Sequence, residues 1–373
     1  MHSSLLFLFT AAALGLASSI PPRCQQTTIP VTVTAHPQII DIQPPKNQSE
    51  LTGLLTRVTS LTQNVTTQDF HGPANITATY KIWTLLCVPP GTQPSTVEFA
   101  VHGINADHRY WTFGGPGSKN NYADVALKAG HAIFIYDRLG VGHSCKPDGI
   151  KEVQQATQIV IAAQLINYLK SGKSGHNFSR VIGIGHSFGS LQLAGVAAQF
   201  GNLLDATVLT GFTPFTGGFA TATASFGLTI ASQQNRKRFG SLSNSYVTTG
   251  SISNDQMPFL TFPFFDPAVL KLAEATKGTA TIGEFLTLQP LAAPNYTNPL
   301  FVVTGDKDLV FCGGNCFQPF GNSTNLVAAS QTLFPAVQKF DYIIPANVGH
   351  GVNLHFQSPD IYAQIQSWIA ELS

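Results

Sequence analysis

A chain of 373 residues, 43% of them hydrophobic, has material for one large core or two ordinary ones. Only 10% of its residues are charged and its formal net charge is +1, against roughly 25% charged in an average soluble protein. That balance offers no basic field with which to hold nucleic acid or an anionic membrane, and it leaves solubility to Ser, Thr, Asn and Gln, helped by sugars where they are attached.

The first segment, Leu5 to Leu16, is a short apolar run followed by Ala17-Ser18-Ser19. It reads as a secretory signal peptide over residues 1–19, cut near Ser19, and it predicts a secreted protein. The run is too short to span a bilayer, and no later stretch predicts a transmembrane anchor. Asn47, Asn64, Asn75, Asn177, Asn295 and Asn322 each head an Asn-x-Ser/Thr triplet, the acceptor for N-glycans on that route. Of the five cysteines, Cys312 and Cys316 flank Gly313-Gly314-Asn315, and two glycines let so short a loop close into a disulfide. The rival, half of a zinc site, lacks a second Cys or His pair at matching spacing. The pairing of Cys24, Cys87 and Cys145 is left open, and an odd count leaves at least one thiol unpaired or intermolecular.

Residues 20–75 carry Pro21, Pro22, Pro30, Pro37, Pro44 and Pro45, and predict an irregular lead-in with a possible strand at Val31–Val33. Strands are then predicted at Ile76–Val88, Val97–Val101, Ala132–Tyr136, Val181–Ile184, Ala206–Leu209, Leu300–Val303 and Tyr342–Ile344. Helices are predicted at Asn121–Ala129, Lys151–Lys170, Ser190–Gln199, Leu326–Leu333 and Ile361–Leu372. Continuous apolar strands alternating with helices give the α/β class, with a mainly parallel sheet built from residues 76–212 and 295–373. Residues 213–294 break the alternation, lack clear strands and hold Phe215, Phe219, Phe226, Phe239, Phe259, Phe262, Phe264 and Phe265. A structureless loop of that length is improbable, so the segment predicts a helical cap inserted after the sixth strand, with some of its rings lining a pocket.

The chemistry centres on Gly185-His186-Ser187-Phe188-Gly189, between an apolar strand and a helix. The turn leaves no room for a Cβ at Gly185 or Gly189, and it lifts the hydroxyl of Ser187 clear of the sheet. The backbone N–H of Phe188 then lies at a helix start, unpaired and suited to negative charge. A serine hydroxyl needs a base, and the base an orienting acid. At the ends of later strands stand Asp306 and Asp308 in Thr304-Gly305-Asp306-Lys307-Asp308, and His350 between Gly349 and Gly351. The order Ser, Asp, His is one of the known triad orders.

His102-Gly103, Asp137-Arg138-x-Gly140-x-Gly142-x-Ser144, Gly185-x-Ser187-x-Gly189, Gly305-x-x-Asp308 and Gly349-His350 together resemble the α/β-hydrolase superfamily, in the style of secreted fungal serine hydrolases of the esterase and lipase kind. The resemblance runs from about Ile76 to the C-terminus. It implies the α/β-hydrolase fold and a triad of Ser187, Asp308 and His350, since the family's acid stands three residues after a glycine; Asp306 is the alternative. It also implies that Ile104, after His102-Gly103, supplies a second oxyanion N–H beside that of Phe188. Asp137 and Arg138 tie their loop together. His186 is expected to pack or hydrogen-bond beside the nucleophile, and His355 is a less favoured base. The resulting expectation is a carboxylic ester hydrolase acting on a hydrophobic small molecule, with no cofactor or metal and no nucleic-acid partner. Lactone, thioester and peptide N-terminus remain alternative bonds. A non-catalytic binder on the same fold would be expected to have lost Ser187 or His350. Epoxide hydrolases and dehalogenases place an acid where Ser187 stands. Oligomeric state is not legible.

Overall fold

A computed structural model of the chain describes residues 23–60 and 62–372. The signal peptide expected over residues 1–19 lies outside them.

The centre is an eight-stranded sheet. Its strands are β1 (Arg23–Ala35), β2 (Ile76–Val88), β3 (Thr96–Val101), β4 (Ala132–Tyr136), β5 (Arg180–His186), β6 (Ala206–Thr210), β7 (Leu300–Val303) and β8 (Phe340–Ile343). They lie in the order β1-β2-β4-β3-β5-β6-β7-β8. β1 pairs antiparallel with β2 and β2 with β4; every pairing from β4 to β8 is parallel. The inner parallel strands are apolar along their whole length because both faces are covered, and β4, β6 and β7 are buried at every residue. Side-chain alternation divides the core in two. Phe134 and Tyr136 of β4 pack with Ile159, Ile166 and Leu191 from helices α4 (Gln155–Lys170) and α5 (Phe188–Phe200). Ile133 and Ile135 face the other way, onto Tyr122 and Ala126 of α3 (Tyr122–Lys128) and onto Ile361, Ile365 and Trp368 of the final helix, Ser358–Ala370. The α/β class, the mainly parallel sheet and the flanking helices are as expected.

The N-terminal segment is not. Where an irregular lead-in is expected over residues 20–75, β1 runs for 13 residues, followed by α1 (Gln48–Thr59) and α2 (Val65–Asp69). Ile29, Val31, Val33 and Ala35 are buried while Pro30, Thr32 and Thr34 between them are exposed, which is the period of a half-covered strand. β1 is an edge, where a proline is tolerated, so Pro30 does not break it. Cys24 faces Cys87 across that pairing and the two form a disulfide. Cys312 and Cys316 form the second, as expected and in place of half a zinc site, and Cys145 is the unpaired thiol.

Residues 213–294 carry helices at α6 (Phe219–Ser225), Ile252–Phe259, Pro267–Thr276 and Ile282–Thr287. They also carry a three-stranded sheet of Thr229–Ile230, Tyr246–Thr248 and Ala280–Thr281, whose strands of two or three residues are too short to show a period in sequence. The helix expected at Leu326–Leu333 is a 3-10 helix over Ala328–Leu333. All six glycan-acceptor asparagines lie in exposed positions, Asn47 and Asn64 as the caps of α1 and α2.

Candidate active site

β5 ends at His186 and α5 begins at Phe188, so Ser187 turns the chain in one residue. Its φ of 56° and ψ of −119° form a conformation that L-residues rarely adopt. The turn is held from below, because the Ser187 N–H and the Ser190 hydroxyl both donate to the Thr210 carbonyl at 2.9 Å. The glycines act as expected. A Cβ on Gly185 would meet the Ser190 backbone at 2.7 Å, and one on Gly189 would collide with the Val101 carbonyl.

The residues expected to converge do so. The Ser187 Oγ lies 2.7 Å from His350 Nε2, and His350 Nδ1 lies 2.7 Å from Asp308 Oδ2. Asp308 and His350 are wholly buried, whereas Ser187 keeps 8% of its surface. The second oxygen of Asp308 accepts the Phe311 N–H at 2.8 Å, which fixes the carboxylate plane.

The competing residues have other tasks. Asp306 accepts the Val348 N–H at 3.1 Å and lies 3.4 Å from Lys307, so it braces the His350 loop without touching the imidazole. His355 Nε2 accepts from the backbone N–H of Gly349 at 3.0 Å and of Thr261 at 3.1 Å, while its Nδ1 donates to the Gly351 carbonyl. Burial lowers its pKa to about 4, so it stays neutral and can accept both bonds. His186 stacks on Tyr110 with ring centres 4.3 Å apart and bonds to Thr210, and burial keeps it neutral as well. His102 donates to the Gly103 carbonyl and accepts the Arg138 N–H. Its pKa is pushed well down by burial and by the neighbouring Arg138 charge. Asp137 takes the backbone N–H groups of His108 and His143. Arg138 is wholly buried, paired with Glu284 and set 4.8 Å beneath the Phe188 ring. Both tie loops together, as expected.

Phe188 and Ile104, expected to supply the oxyanion N–H groups, line the same cavity as Ser187. Neither N–H group has a hydrogen-bond partner among the described residues. The Ile104 loop approaches closely because Gly103 carries no side chain: a Cβ there would lie 2.9 Å from that of Ser187.

Above Ser187 is a cavity of about 310 Å³, within the size range of small-molecule sites. Phe188, Leu191, Phe219, Phe226, Phe259, Phe285 and Phe311 line it, and no charged residue does. Three of those rings are among the phenylalanines expected from the cap. Phe239 is instead buried inside the cap, Phe265 is buried where the cap meets Phe113 and Leu354, and Phe262 is 75% exposed. Val58 of α1 and Thr66 of α2 complete the wall, a contribution that sequence reasoning misses because it places no element there. Asp107, His108 and Asp137 stand close enough to share a cation. Their oxygens are already engaged by Arg109, His108 and His143, so hydrogen bonding accounts for the cluster.

A family model described as the alpha/beta hydrolase family matches residues 99–365. The chain belongs to the α/β-hydrolase family. Among solved structures it is similar to a soluble variant of monoglyceride lipase from Saccharomyces cerevisiae in complex with a substrate analog, at 12% identity and a TM-score of 0.53, covering 79% of this chain and 92% of that one. It is similar to a putative aryl esterase from Burkholderia cenocepacia at 12% identity and a TM-score of 0.52, covering 78% and 96%. It is also similar to a bromoperoxidase from Bacillus anthracis at 15% identity and a TM-score of 0.50, covering 79% and 95%. Likeness at such identity establishes the α/β-hydrolase fold and does not select a reaction. No curated protein sequence matches the chain. β1, α1, α2 and β2 all precede the matched stretch.

Proposed function

We propose that the protein is a secreted serine hydrolase, in the style of the fungal enzymes, that cleaves a carboxylic ester of a hydrophobic small molecule. The observation that carries the reading is the unbroken chain of contacts from Ser187 Oγ through His350 to Asp308, at 2.7 Å and 2.7 Å. In this reading His350 takes the hydroxyl proton as Ser187 attacks the carbonyl carbon. Asp308 holds the Nδ1–H tautomer and stabilises the imidazolium. The N–H groups of Phe188 and Ile104 receive the oxyanion, each worth about 3 kcal/mol. His350 then protonates the leaving alcohol, and water releases the acyl group by the same route.

The cavity supports the substrate class. Its aromatic and aliphatic walls suit an apolar acyl group, and no carboxylate lines it to receive the ammonium of a peptide N-terminus. Secretion is supported by the apolar run Leu5 to Leu16, and N-glycosylation by the exposure of all six acceptor asparagines. No helix among the described residues is long and apolar enough to cross a membrane.

A panel of p-nitrophenyl esters of rising acyl length, with lactones and thioesters alongside, tests the reading on wild type and on Ser187→Ala. Ester turnover that Ser187→Ala abolishes is the expected result. Equal turnover by the two proteins sinks it, and a preference for lactones or thioesters transfers the triad to that bond.

A further inference from the structure

Ile104 stands between two cavities. One is the Ser187 cavity. The other, about 60 Å³, shares Ile104 and Phe259 with it and lies against Asn105, Tyr110, His186 and Asp255. A buried segment bordered by space on two sides is less tightly fixed by packing, so its hydrogen bonds matter more. The next residue, Asn105, has a φ of +60°, in the left-handed region. Asparagine enters that region more readily than most residues, yet still at a cost.

The bonds that hold Asn105 come from the cap. Its carbonyl accepts the Gly278 N–H at 3.0 Å, its Oδ1 accepts the Thr248 hydroxyl at 3.2 Å, and its Nδ2 donates to Asp255 Oδ1 at 2.8 Å. Asp255 is 3% exposed, and the same oxygen accepts the Thr249 hydroxyl at 2.5 Å. Its other oxygen is buried with no donor among the described residues. The Asp255 carboxyl has that of Glu274 as a neighbour, and Glu274 is in turn 2.8 Å from the ammonium of Lys277. Two carboxylates in contact hold best with a proton between them. Burial, and then the Glu274 carboxylate, push Asp255 up to about 7; hydrogen bonds from Asp255 and Lys277 outweigh burial at Glu274 and pull it down. A proton shared by the two carboxyls therefore favours Asp255, whose Oδ1 accepts from Asn105.

We propose that the cap sets the oxyanion geometry: Asp255, backed by Glu274 and Lys277, is a positioning residue that holds Asn105, and through it the Ile104 N–H, in register with Ser187. The inference rests on the reading of Ser187 and Ile104 given above. In this arrangement Asp255 does not line the Ser187 cavity, and it acts through the loop. Arg138 adds a second tie, with its guanidinium donating to the Gly103 carbonyl at 3.3 Å while paired with Glu284 of the Ile282–Thr287 helix.

Steady-state hydrolysis of a p-nitrophenyl ester by the full-length protein tests this with Asp255→Leu, Asp255→Asn and Asn105→Gly. Asp255→Leu should lower kcat about 30-fold while KM stays within about threefold, because the lost interaction matters most once the oxyanion forms. Asn105→Gly keeps the backbone conformation and removes the side-chain bonds, and should lower kcat about tenfold. Asp255→Asn should rescue, within about threefold of wild type, since its oxygen still accepts from Asn105 and its amide replaces the shared proton toward Glu274. Wild-type kcat in Asp255→Leu or Asn105→Gly overturns the proposal. So does an Asp255→Asn variant as damaged as Asp255→Leu, or a change in KM alone. Should Asp255→Leu fail to fold, the other two variants decide. Ser187→Ala run beside them separates the failures: if it retains turnover, the reading of the site is wrong, not merely the role of the clamp.

Discussion

Asp308 and His350 are held by neighbours inside the core. Asp306 and His355 bond to the backbone around His350, and the acid loop is closed by Cys312–Cys316 a few residues on. Ile104 is held differently. Asn105 beside it hangs from Thr248, Asp255 and Gly278, all within residues 213–294. The acid–base half of the site is thus built mainly by the part of the chain that makes the sheet, with lesser ties to the cap at Thr261 and Phe259, whereas the Ile104 loop takes its Asn105 bonds from the insertion.

Substitutions should separate the two halves. The largest effect belongs to Ser187→Ala, with kcat expected to fall about 10⁶-fold toward the background left by binding alone. Asp308→Asn should cost about 10⁴-fold by favouring the wrong imidazole tautomer. Asp306→Asn, measured in the same assay, should stay within about tenfold, because its oxygen can still accept the Val348 N–H and it is not the acid. Equal losses at the two positions would mean that the acid is misassigned.

The core half should also fail in acid. His355 has a folded pKa of about 4 against an ordinary value of 6.5. Between those values the unfolded chain binds a proton that the folded chain does not. Stability is therefore intact above about pH 6.5 and is lost as pH falls toward 4, by about 3 kcal/mol for this residue. His102 and His186 act in the same direction. Urea unfolding at pH 7 and pH 4.5 checks this, and His355→Gln should flatten the difference. Opening the acid loop with Cys312→Ser and Cys316→Ser should cost about 2 kcal/mol, read from the same unfolding curves. The smallest effect concerns the cavity wall from α1. Val58→Trp should lower kcat/KM for a long-chain ester about tenfold relative to a short one. An unchanged chain-length profile would place the acyl group elsewhere.

What could be read from sequence follows the same division. The nucleophile turn is compact in sequence: Gly185 is required by Ser190 next to the motif and Gly189 by Val101 on the neighbouring strand, yet all the signal falls within five residues. Asp308, three residues after Gly305, and His350, between Gly349 and Gly351, each follow a strand end, where function is expected in an α/β sheet. Of the N-terminal strand only Val31–Val33 was legible; its full length was obscured because Pro30 interrupts a run whose partner, Lys81, lies far along the chain. Its alternation over Ile29–Ala35 is nonetheless present, and so is Cys24 opposite Cys87. The Asn105–Asp255 contact spans 150 residues and has no local pattern. Nothing in the sequence marks Val58 or Phe285 as walls of the cavity, since each reads as an ordinary apolar residue. Chemistry held by neighbours in sequence was legible; support crossing between core and cap was not.

The most direct test of the central claim is covalent. Purified protein is treated with a fluorophosphonate, digested and mapped by mass spectrometry. The account predicts one adduct, on the peptide containing Ser187, formed by wild type and absent from Ser187→Ala. Ester hydrolysis continuing with no adduct, or with the adduct on another residue, would contradict it.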